Sequence, residues 1–179
     1  MGVGFEHILD EGYLEGIEDL STEDLRRMRA ECEAQEEAVS YARRVLQGRL
    51  DILRAELLRR SDDGDERADS LLELLPTILA SDQASSDPLK ARATRLRVPE
   101  AAEALEAEID RIVDESTLDE LGDHGPADLA GLLDRLAEHE QRLSRVRRTL
   151  FERIDTLREE LAARYKDGRA VVSDLIGGT

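Results

Sequence analysis

Apolar residues recur every seven positions in two long stretches of the chain. The repeat consists of Leu25, Cys32, Val39, Leu46 and Leu53 in the first stretch, and of Leu129, Leu136, Leu143, Leu150 and Leu157 in the second. A seven-residue spacing places these side chains on one face of an α-helix, which is the pattern of a coiled-coil seam. The two stretches therefore predict two long helices that pack against each other through their leucines.

Start and stop signals give the bounds of these helices. Ser21, followed three residues later by Asp24, resembles a capping box and predicts a first long helix over residues 22–60. Pro126 suits the first position of a helix and Gly168 a stop, so the second long helix is predicted over residues 126–167. An antiparallel hairpin is the simplest arrangement of consecutive helices. We therefore predict an all-α fold, an antiparallel coiled-coil hairpin with shorter helices in the connection.

The remaining segments complete the predicted organisation of the chain. A length of 179 residues indicates a single domain over residues 1–179. All four prolines lie in one central window, so the connecting segment, residues 61–125, cannot be one continuous helix. Within it, the stretch from Glu100 to Ile112 has the pattern of a short amphipathic helix. An N-terminal segment, residues 1–21, and a C-terminal tail, residues 168–179, flank the hairpin.

Composition restricts the possible partners and the compartment. The chain has 25 Lys and Arg residues against 42 Asp and Glu residues, a formal net charge of −17. Such a charge disfavours binding to DNA or anionic lipid and attracts basic proteins. No apolar run approaches the roughly 20 residues of a membrane span, and the first twenty residues lack the Lys or Arg of a signal peptide. With a single cysteine, Cys32, this predicts a cytoplasmic protein.

The common signatures of catalysis are missing from the sequence. The three histidines are scattered, and His139-Glu140 lacks the second histidine of an H-E-x-x-H zinc motif. There is no P-loop, nucleophile elbow or dinucleotide-binding glycine turn. We therefore expect neither an enzyme nor a metal site.

The two long helices are copies of one another. Aligned without gaps at an offset of 104 residues, residues 25–60 and 129–164 are identical at 13 of 36 positions. The identical positions include polar residues, which the apolar period does not require: Glu36 with Glu140, Ser40 with Ser144, Arg43 with Arg147, and Asp51 with Asp155. At about 100° per residue, these residues and Gln47 form one stripe that borders the seam. We call the two copies the polar stripes.

The chemistry of the polar stripes favours a guanine nucleotide. A carboxylate accepts hydrogen bonds from N1–H and N2–H of guanine, and an arginine donates to its O6 and N7 or to phosphate. Since the stripe is duplicated, a symmetric ligand is favoured. The competing interpretation is a solvated coiled-coil flank, in which the same residues make weak ion pairs within each helix.

The first polar stripe resembles a known signature. The residues Glu36, Ser40, Arg43, Gln47 and Asp51 match the E-x3-S-x2-R-x3-Q-x3-D pattern of the RsiG-type anti-sigma factors of actinobacteria. The second stripe keeps Glu140, Ser144, Arg147 and Asp155 but has Phe151 in place of the glutamine. The order of two long helices, a spacer and a short tail also resembles this family.

The resemblance implies a function that composition and spacing alone do not. It implies an anti-sigma factor that binds cyclic di-GMP, as a dimer of the nucleotide, and withholds a WhiG-like sporulation sigma factor from RNA polymerase. By the same resemblance the ligand-binding residues are the nine matching ones: Glu36, Ser40, Arg43, Gln47, Asp51, Glu140, Ser144, Arg147 and Asp155. Phe151 could pack on a base or join the seam, so we expect unequal half-sites. The alternative is a structural coiled-coil adaptor that oligomerises through its leucine seams and binds no small molecule.

Overall fold

The protein is all-α in the computed structural model, which describes residues 6–62 and 101–167, with side chains to residue 60 in the first range. In chain order the α-helices are α1 (Glu6–Leu9), α2 (Thr22–Asp62), α3 (Ala102–Asp110), α4 (Glu115–Asp119) and α5 (Pro126–Lys166). The described ranges contain no β-strand. Over these ranges no helix is long and apolar enough to cross a membrane.

The two long helices, α2 and α5, are held together by the predicted seams. All ten seam residues have no exposed surface, including Cys32. The prediction that the heptad residues form the core is therefore confirmed. The α2 helix continues two residues past the predicted end at residue 60, because the sequence has neither Gly nor Pro from there to Gly64. The part of the connecting segment over residues 63–100 and the tail over residues 168–179 lie outside the described residues.

The described residues divide into two compact units, and both long helices contribute to each. The first unit comprises residues 6–43, 101–105 and 142–167, and the second comprises residues 44–62 and 106–141. This division does not test the prediction of a single domain, which stays a prediction.

In the first unit, the cross-helix contacts give the direction of packing. Arg26 near the start of α2 donates a hydrogen bond to the hydroxyl of Tyr165 near the end of α5. Further along α2, Glu33 accepts a hydrogen bond from Arg158, 3.0 Å between Oε1 and Nη2. Since residue numbers rise on α2 as they fall on α5, the helices are antiparallel, which confirms the predicted hairpin.

Side-chain caps start both long helices. Ser21 Oγ accepts a hydrogen bond from the backbone N–H of Asp24 at 3.0 Å and donates to Asp24 Oδ2 at 2.6 Å. These hydrogen bonds lower the pKa of the Asp24 carboxyl. Before α5, the backbone N–H of Gly125 donates to Asp128 Oδ2 at 3.2 Å. The cap predicted at Ser21 and Asp24 is present.

The duplication extends beyond the long helices into the segments that precede them. Residues 11–14 and 17–19 form two short 3-10 helices before α2, while α4 and a 3-10 helix over residues 121–123 precede α5. Asp10 and Asp114, 104 residues apart, each cap the first of these turns by accepting a backbone N–H. In the second copy, the hydrogen bonds from Thr117 lower the pKa of the Asp114 carboxyl. Each copy is thus a short helical segment followed by a long helix.

An arginine clasp fixes the short helical segment in each unit. In the second unit, Arg60 of α2 donates to the backbone carbonyls of Leu121 (2.6 Å) and His124 (2.5 Å). In the first unit, Arg164 of α5 donates to the carbonyls of Ile17 (2.8 Å), Glu18 and Leu20. These interactions satisfy carbonyl groups in turns that lack a long helix of their own.

A glutamate one helical turn earlier orients each clasp arginine. Glu56 accepts from Arg60 Nε at 2.7 Å, and Glu160 accepts from Arg164 Nε at 2.7 Å. Hydrogen bonds from Arg59 and Arg60 lower the pKa of Glu56 to about 2. Since Arg60 and Arg164 are 104 residues apart, the two clasps are copies. We use "arginine clasp" for each Glu–Arg pair and the carbonyls that it binds.

Candidate functional site: the two polar stripes

The nine predicted site residues are spread over both compact units. Six lie in the first unit: Glu36, Ser40, Arg43, Ser144, Arg147 and Asp155. Gln47, Asp51 and Glu140 lie in the second. Most of them are partly exposed, and the two aspartates have the most accessible side chains, at 73% for Asp51 and 67% for Asp155. Side chains that border a seam are expected to have this intermediate exposure.

In the first unit, the structure brings residues of both polar stripes together. Arg147 Nε donates to Glu36 Oε1 at 2.9 Å and to Ser40 Oγ at 2.8 Å. Ser40 in turn donates to Glu36 at 2.5 Å, one helical turn away. The glutamate and the serine of one stripe thus hold the arginine of the other, and both carboxylate and guanidinium are partly shielded, at 19% and 35% exposure. Because of this shielding, the charge-assisted contact is stronger than an exposed ion pair.

The ring of Phe151 packs against one face of the same guanidinium. The Cζ atom of Arg147 lies 4.7 Å from the centre of the Phe151 ring, within the range of a cation–π contact. Phe151 is 38% exposed, so the interpretation that it joins the seam is wrong. The ring lies beside the seam because position 151 follows the buried Leu150 on the helix. Phe151 therefore contacts the arginine of its own stripe.

The two Nη groups of Arg147 remain available as hydrogen-bond donors. An arginine has five N–H donors, of which Nε–H is one. Among the residues that the structure describes, the Nη atoms of Arg147 have no hydrogen-bond partner. With Nε bound and one face covered, the two Nη groups form an oriented fork. A fork of this kind matches a carboxylate, a phosphate or the O6 and N7 edge of guanine.

Each aspartate of the stripes lies near an arginine three residues later on its helix. Asp51 lies 3.3 Å from Arg54, and Asp155 lies 3.5 Å from Arg158. These pairs are long and both carboxylates are exposed, so the pairs are weak. Both carboxylates therefore keep lone pairs for a hydrogen-bond donor from a ligand.

The remaining predicted residues are half-buried on the same helices. Gln47 has this intermediate exposure, as do Arg43, Glu140 and Ser144. The last three each make at least one interaction within the chain. Arg43, Glu140 and Ser144 thus already have partners within the chain.

Two arginines that the sequence analysis did not include as ligands are explained by the fold. Arg49 donates to the carbonyl of Val113 and to Asp110 at 2.5 Å, and Arg153 donates to the carbonyl of Asp10 at 3.0 Å. They are identical under the 104-residue offset because each fixes the short segment before a long helix. Arg54 and Arg158 were missed as neighbours of the site aspartates, although the same offset pairs them.

The arrangement offers hydrogen bonding and charge. In the described ranges, no group of three or more His, Cys, Asp or Glu residues could hold a metal ion. Cys32 and Tyr13 lie close together, 3.6 Å between Sγ and the hydroxyl, and burial raises the pKa of both groups. Both stay protonated at neutral pH, so neither is poised as a nucleophile. The polar stripes are suited to bind an anionic ligand that carries both acceptors and donors.

Comparison with known proteins gives the family. The model of the family described as RsiG-like matches residues 11–79 and 113–177, which is most of the chain. Each matched segment contains one long helix and one polar stripe. No curated protein matches the chain. The chain therefore belongs to the RsiG-like family, which indicates a regulatory protein with an anti-sigma-factor role and a sigma factor as its partner.

Proposed function

We propose that this protein is a cytoplasmic anti-sigma factor that binds cyclic di-GMP on its two polar stripes. In the loaded state it sequesters a WhiG-like sporulation sigma factor from RNA polymerase. The proposal rests on the family and on the five-position signature of the first stripe. The observation that supports it most is the oriented fork of Arg147 beside Glu36 and Ser40.

The fork supports a nucleotide ligand more than a solvated surface. An exposed arginine on a coiled-coil flank loses side-chain entropy when it is fixed, for a gain of under ~1 kcal/mol. Arg147 is fixed at Nε by two partners from the other helix and at one face by Phe151. Such pre-organisation reduces the cost of binding an acceptor at the two Nη groups.

Each type of residue in the stripes has a role in the proposal. Arg43 and Arg147 bind guanine O6 and N7 or the phosphates. Asp51 and Asp155 accept from guanine N1–H and N2–H, in keeping with their exposed carboxylates. The orienting residues are Glu36, Glu140, Ser40, Ser144 and Gln47. Cyclic di-GMP as an intercalated dimer carries four guanines and enough phosphates to use both stripes.

The two half-sites are unequal in this proposal. The first stripe has an amide at Gln47, which can hydrogen-bond, where the second has the ring of Phe151. A ring cannot replace amide hydrogen bonds, but it can cover the guanidinium of Arg147, as it does in the free chain.

Nucleotide and sigma factor must then strengthen each other's binding. If the nucleotide prefers the sigma-bound state, thermodynamic linkage requires that the sigma factor raise the affinity for the nucleotide by the same factor. The net charge of −17 favours association with basic regions of the sigma factor.

Paired arginine substitutions test the site. We expect the double variant R43A/R147A to lose at least about 100-fold in cyclic di-GMP affinity, since each charge-assisted hydrogen bond contributes about 1.5–3 kcal/mol. Isothermal titration measures the loss. The matched control is R44A/R148A, which removes the same charge from exposed neighbouring positions.

The control variant separates a specific site from general electrostatics. R44A/R148A is expected to bind within a few-fold of the unsubstituted protein. If both double variants bound cyclic di-GMP equally well, the assignment of the polar stripes would be wrong. If the unsubstituted protein bound no nucleotide with or without sigma factor but did self-associate, the coiled-coil adaptor would be the better account.

A further inference from the structure

The second unit contains an open groove beside the first turns of α5. It has a volume of about 450 Å³, and its lining includes Thr117, Ala127, Asp128, Gly131, Leu132 and Arg135. Gly131 lies on the exposed side of the helix, and a Cβ added there would meet no atom within 4 Å. The groove therefore has additional room beside Gly131, because this helical position carries no side chain.

The corresponding surface of the first unit is occupied by larger side chains. At the offset of 104 residues, Thr117 corresponds to Tyr13, Gly131 to Arg27 and Leu132 to Met28. Tyr13 lies against α2, with its hydroxyl 3.5 Å from the carbonyl of Met28. The edge of the His7 ring packs against the same tyrosine, 6.0 Å between ring centres.

The ion pair that covers the first surface has no counterpart in the second unit. In the first unit His7 and Glu31 form a hydrogen bond of 2.9 Å across this surface. Their counterparts in the second unit are Arg111 and Arg135, two like charges that cannot form such a pair. Among the described residues, Arg135 has no hydrogen bond or ion pair. The covering contact of one unit is thus absent from the other.

The groove lies in a strongly acidic stretch. Apart from Arg135, every charged side chain from residue 114 to residue 138 is acidic, and all of these are exposed: Asp114, Glu115, Asp119, Glu120, Asp123, Asp128, Asp134 and Glu138. With Asp128 in its lining and seven further exposed carboxylates nearby in the sequence, a partly apolar groove favours an apolar side chain that is flanked by Lys or Arg.

We propose that this groove receives a large apolar side chain from a basic segment of the sigma factor. The inference rests on the proposed function and adds to it the surface that the partner occupies. The side chain lies over Gly131, between Thr117 and Leu132, while flanking basic residues pair with the surrounding carboxylates. Arg135 donates to a carbonyl of the partner, as Arg60 does to carbonyls of its own chain.

Filling the groove tests the proposal. The full-length variant G131L places a side chain at a position where an added Cβ would meet no atom within 4 Å. We expect its affinity for a WhiG-like sigma factor, measured by titration with cyclic di-GMP present, to fall at least tenfold. G131A is the matched control, because it removes the same glycine but leaves most of the groove open. A second variant, T117Y, introduces the residue that covers the first unit.

Each outcome decides between the two proposals. Weaker sigma binding by G131L and T117Y, with G131A unchanged and all three variants folded by circular dichroism, supports the groove. If the unsubstituted protein binds sigma factor and G131L binds it equally well, the groove inference fails and the proposed function stands. No sigma binding by the unsubstituted protein overturns both. If G131L abolishes a concentration-dependent dimer and leaves sigma binding unchanged, the occupant is a second copy and the inference is overturned.

Discussion

At the scale of single residues, Arg147 combines a contact between the long helices with two donor groups that are available to the proposed ligand. Its Nε atom, on α5, donates hydrogen bonds to Glu36 and Ser40 of α2. Its Nη atoms have no hydrogen-bond partner among the described residues. A solvated ion pair would not need three partners to fix one guanidinium. The residue that departs from the signature, Phe151, covers the face of the same group.

Phe151 is therefore expected to influence nucleotide affinity through Arg147. An exposed cation–π contact contributes about 0.5–1 kcal/mol, so F151L should weaken cyclic di-GMP binding by about 2–5-fold. Since Phe151 is 38% exposed, the melting temperature should change little. The control is F151Y, which keeps the ring and should bind normally. Equal affinity of F151L and F151Y would show that the ring does not act on the site.

At the scale of elements, the arginine clasps explain how short turns are held without a core of their own. The side chain of Arg164 is only 7% exposed, and it donates to three backbone carbonyls of the segment before α2. A buried guanidinium carries a desolvation cost that these hydrogen bonds offset.

Removal of a clasp is expected to destabilise the fold much more than removal of a surface ion pair. R164A should lower the free energy of unfolding by about 2–4 kcal/mol, because it removes the three hydrogen bonds that a buried guanidinium donates to the segment before α2. R60A should behave in the same way in the second unit. The control is R27A, which removes an exposed pair with Asp24 and should cost under about 1 kcal/mol.

Urea denaturation followed by circular dichroism measures these differences. The quantities compared are the urea concentration at the midpoint of unfolding and the slope of the unfolding free energy against urea concentration. The slope reports the surface area that unfolding exposes. If R164A moved the midpoint no more than R27A does, the clasp would be a surface contact without a structural role.

The elements differ in how far the sequence predicts them. The seams were predictable because burial follows the seven-residue period, as Leu46 and Leu150 illustrate. The clasps were not, since Arg60 and Arg164 end on backbone carbonyls, which no side-chain pattern encodes. The offset of 104 residues contained a signal for them, because Glu56, Arg60, Glu160 and Arg164 match in pairs.

The candidate site was predictable only in its residue types. The stripe and its signature identify Glu36, Ser40 and Arg147, but the contact of the first two with the third depends on how two helices pack. The role of Phe151 was likewise missed, because its contact with Arg147 is set by side-chain geometry and not by spacing. The sequence predicts the residues of such a site, while the packing of the helices decides which of these residues form hydrogen bonds with one another.

At the scale of the whole molecule, the chain consists of two unequal copies of one plan. Each copy has a capped short segment, a long helix, a polar stripe and an arginine that clasps the other copy's short segment. The copies differ where a ligand or partner is proposed: Gln47 against Phe151, and Tyr13 against Thr117. Duplication therefore provides a common scaffold, and the differences distinguish the two copies at the proposed nucleotide site and at the proposed partner groove.

The proposed function requires that cyclic di-GMP control the binding of a WhiG-like sigma factor. The measurement that tests it most directly is isothermal titration of the protein with cyclic di-GMP, without and with a WhiG-like sigma factor, against GTP and cyclic di-AMP as controls. The account predicts binding that is selective for cyclic di-GMP and tighter when the sigma factor is present. Absence of selective binding under both conditions would contradict it.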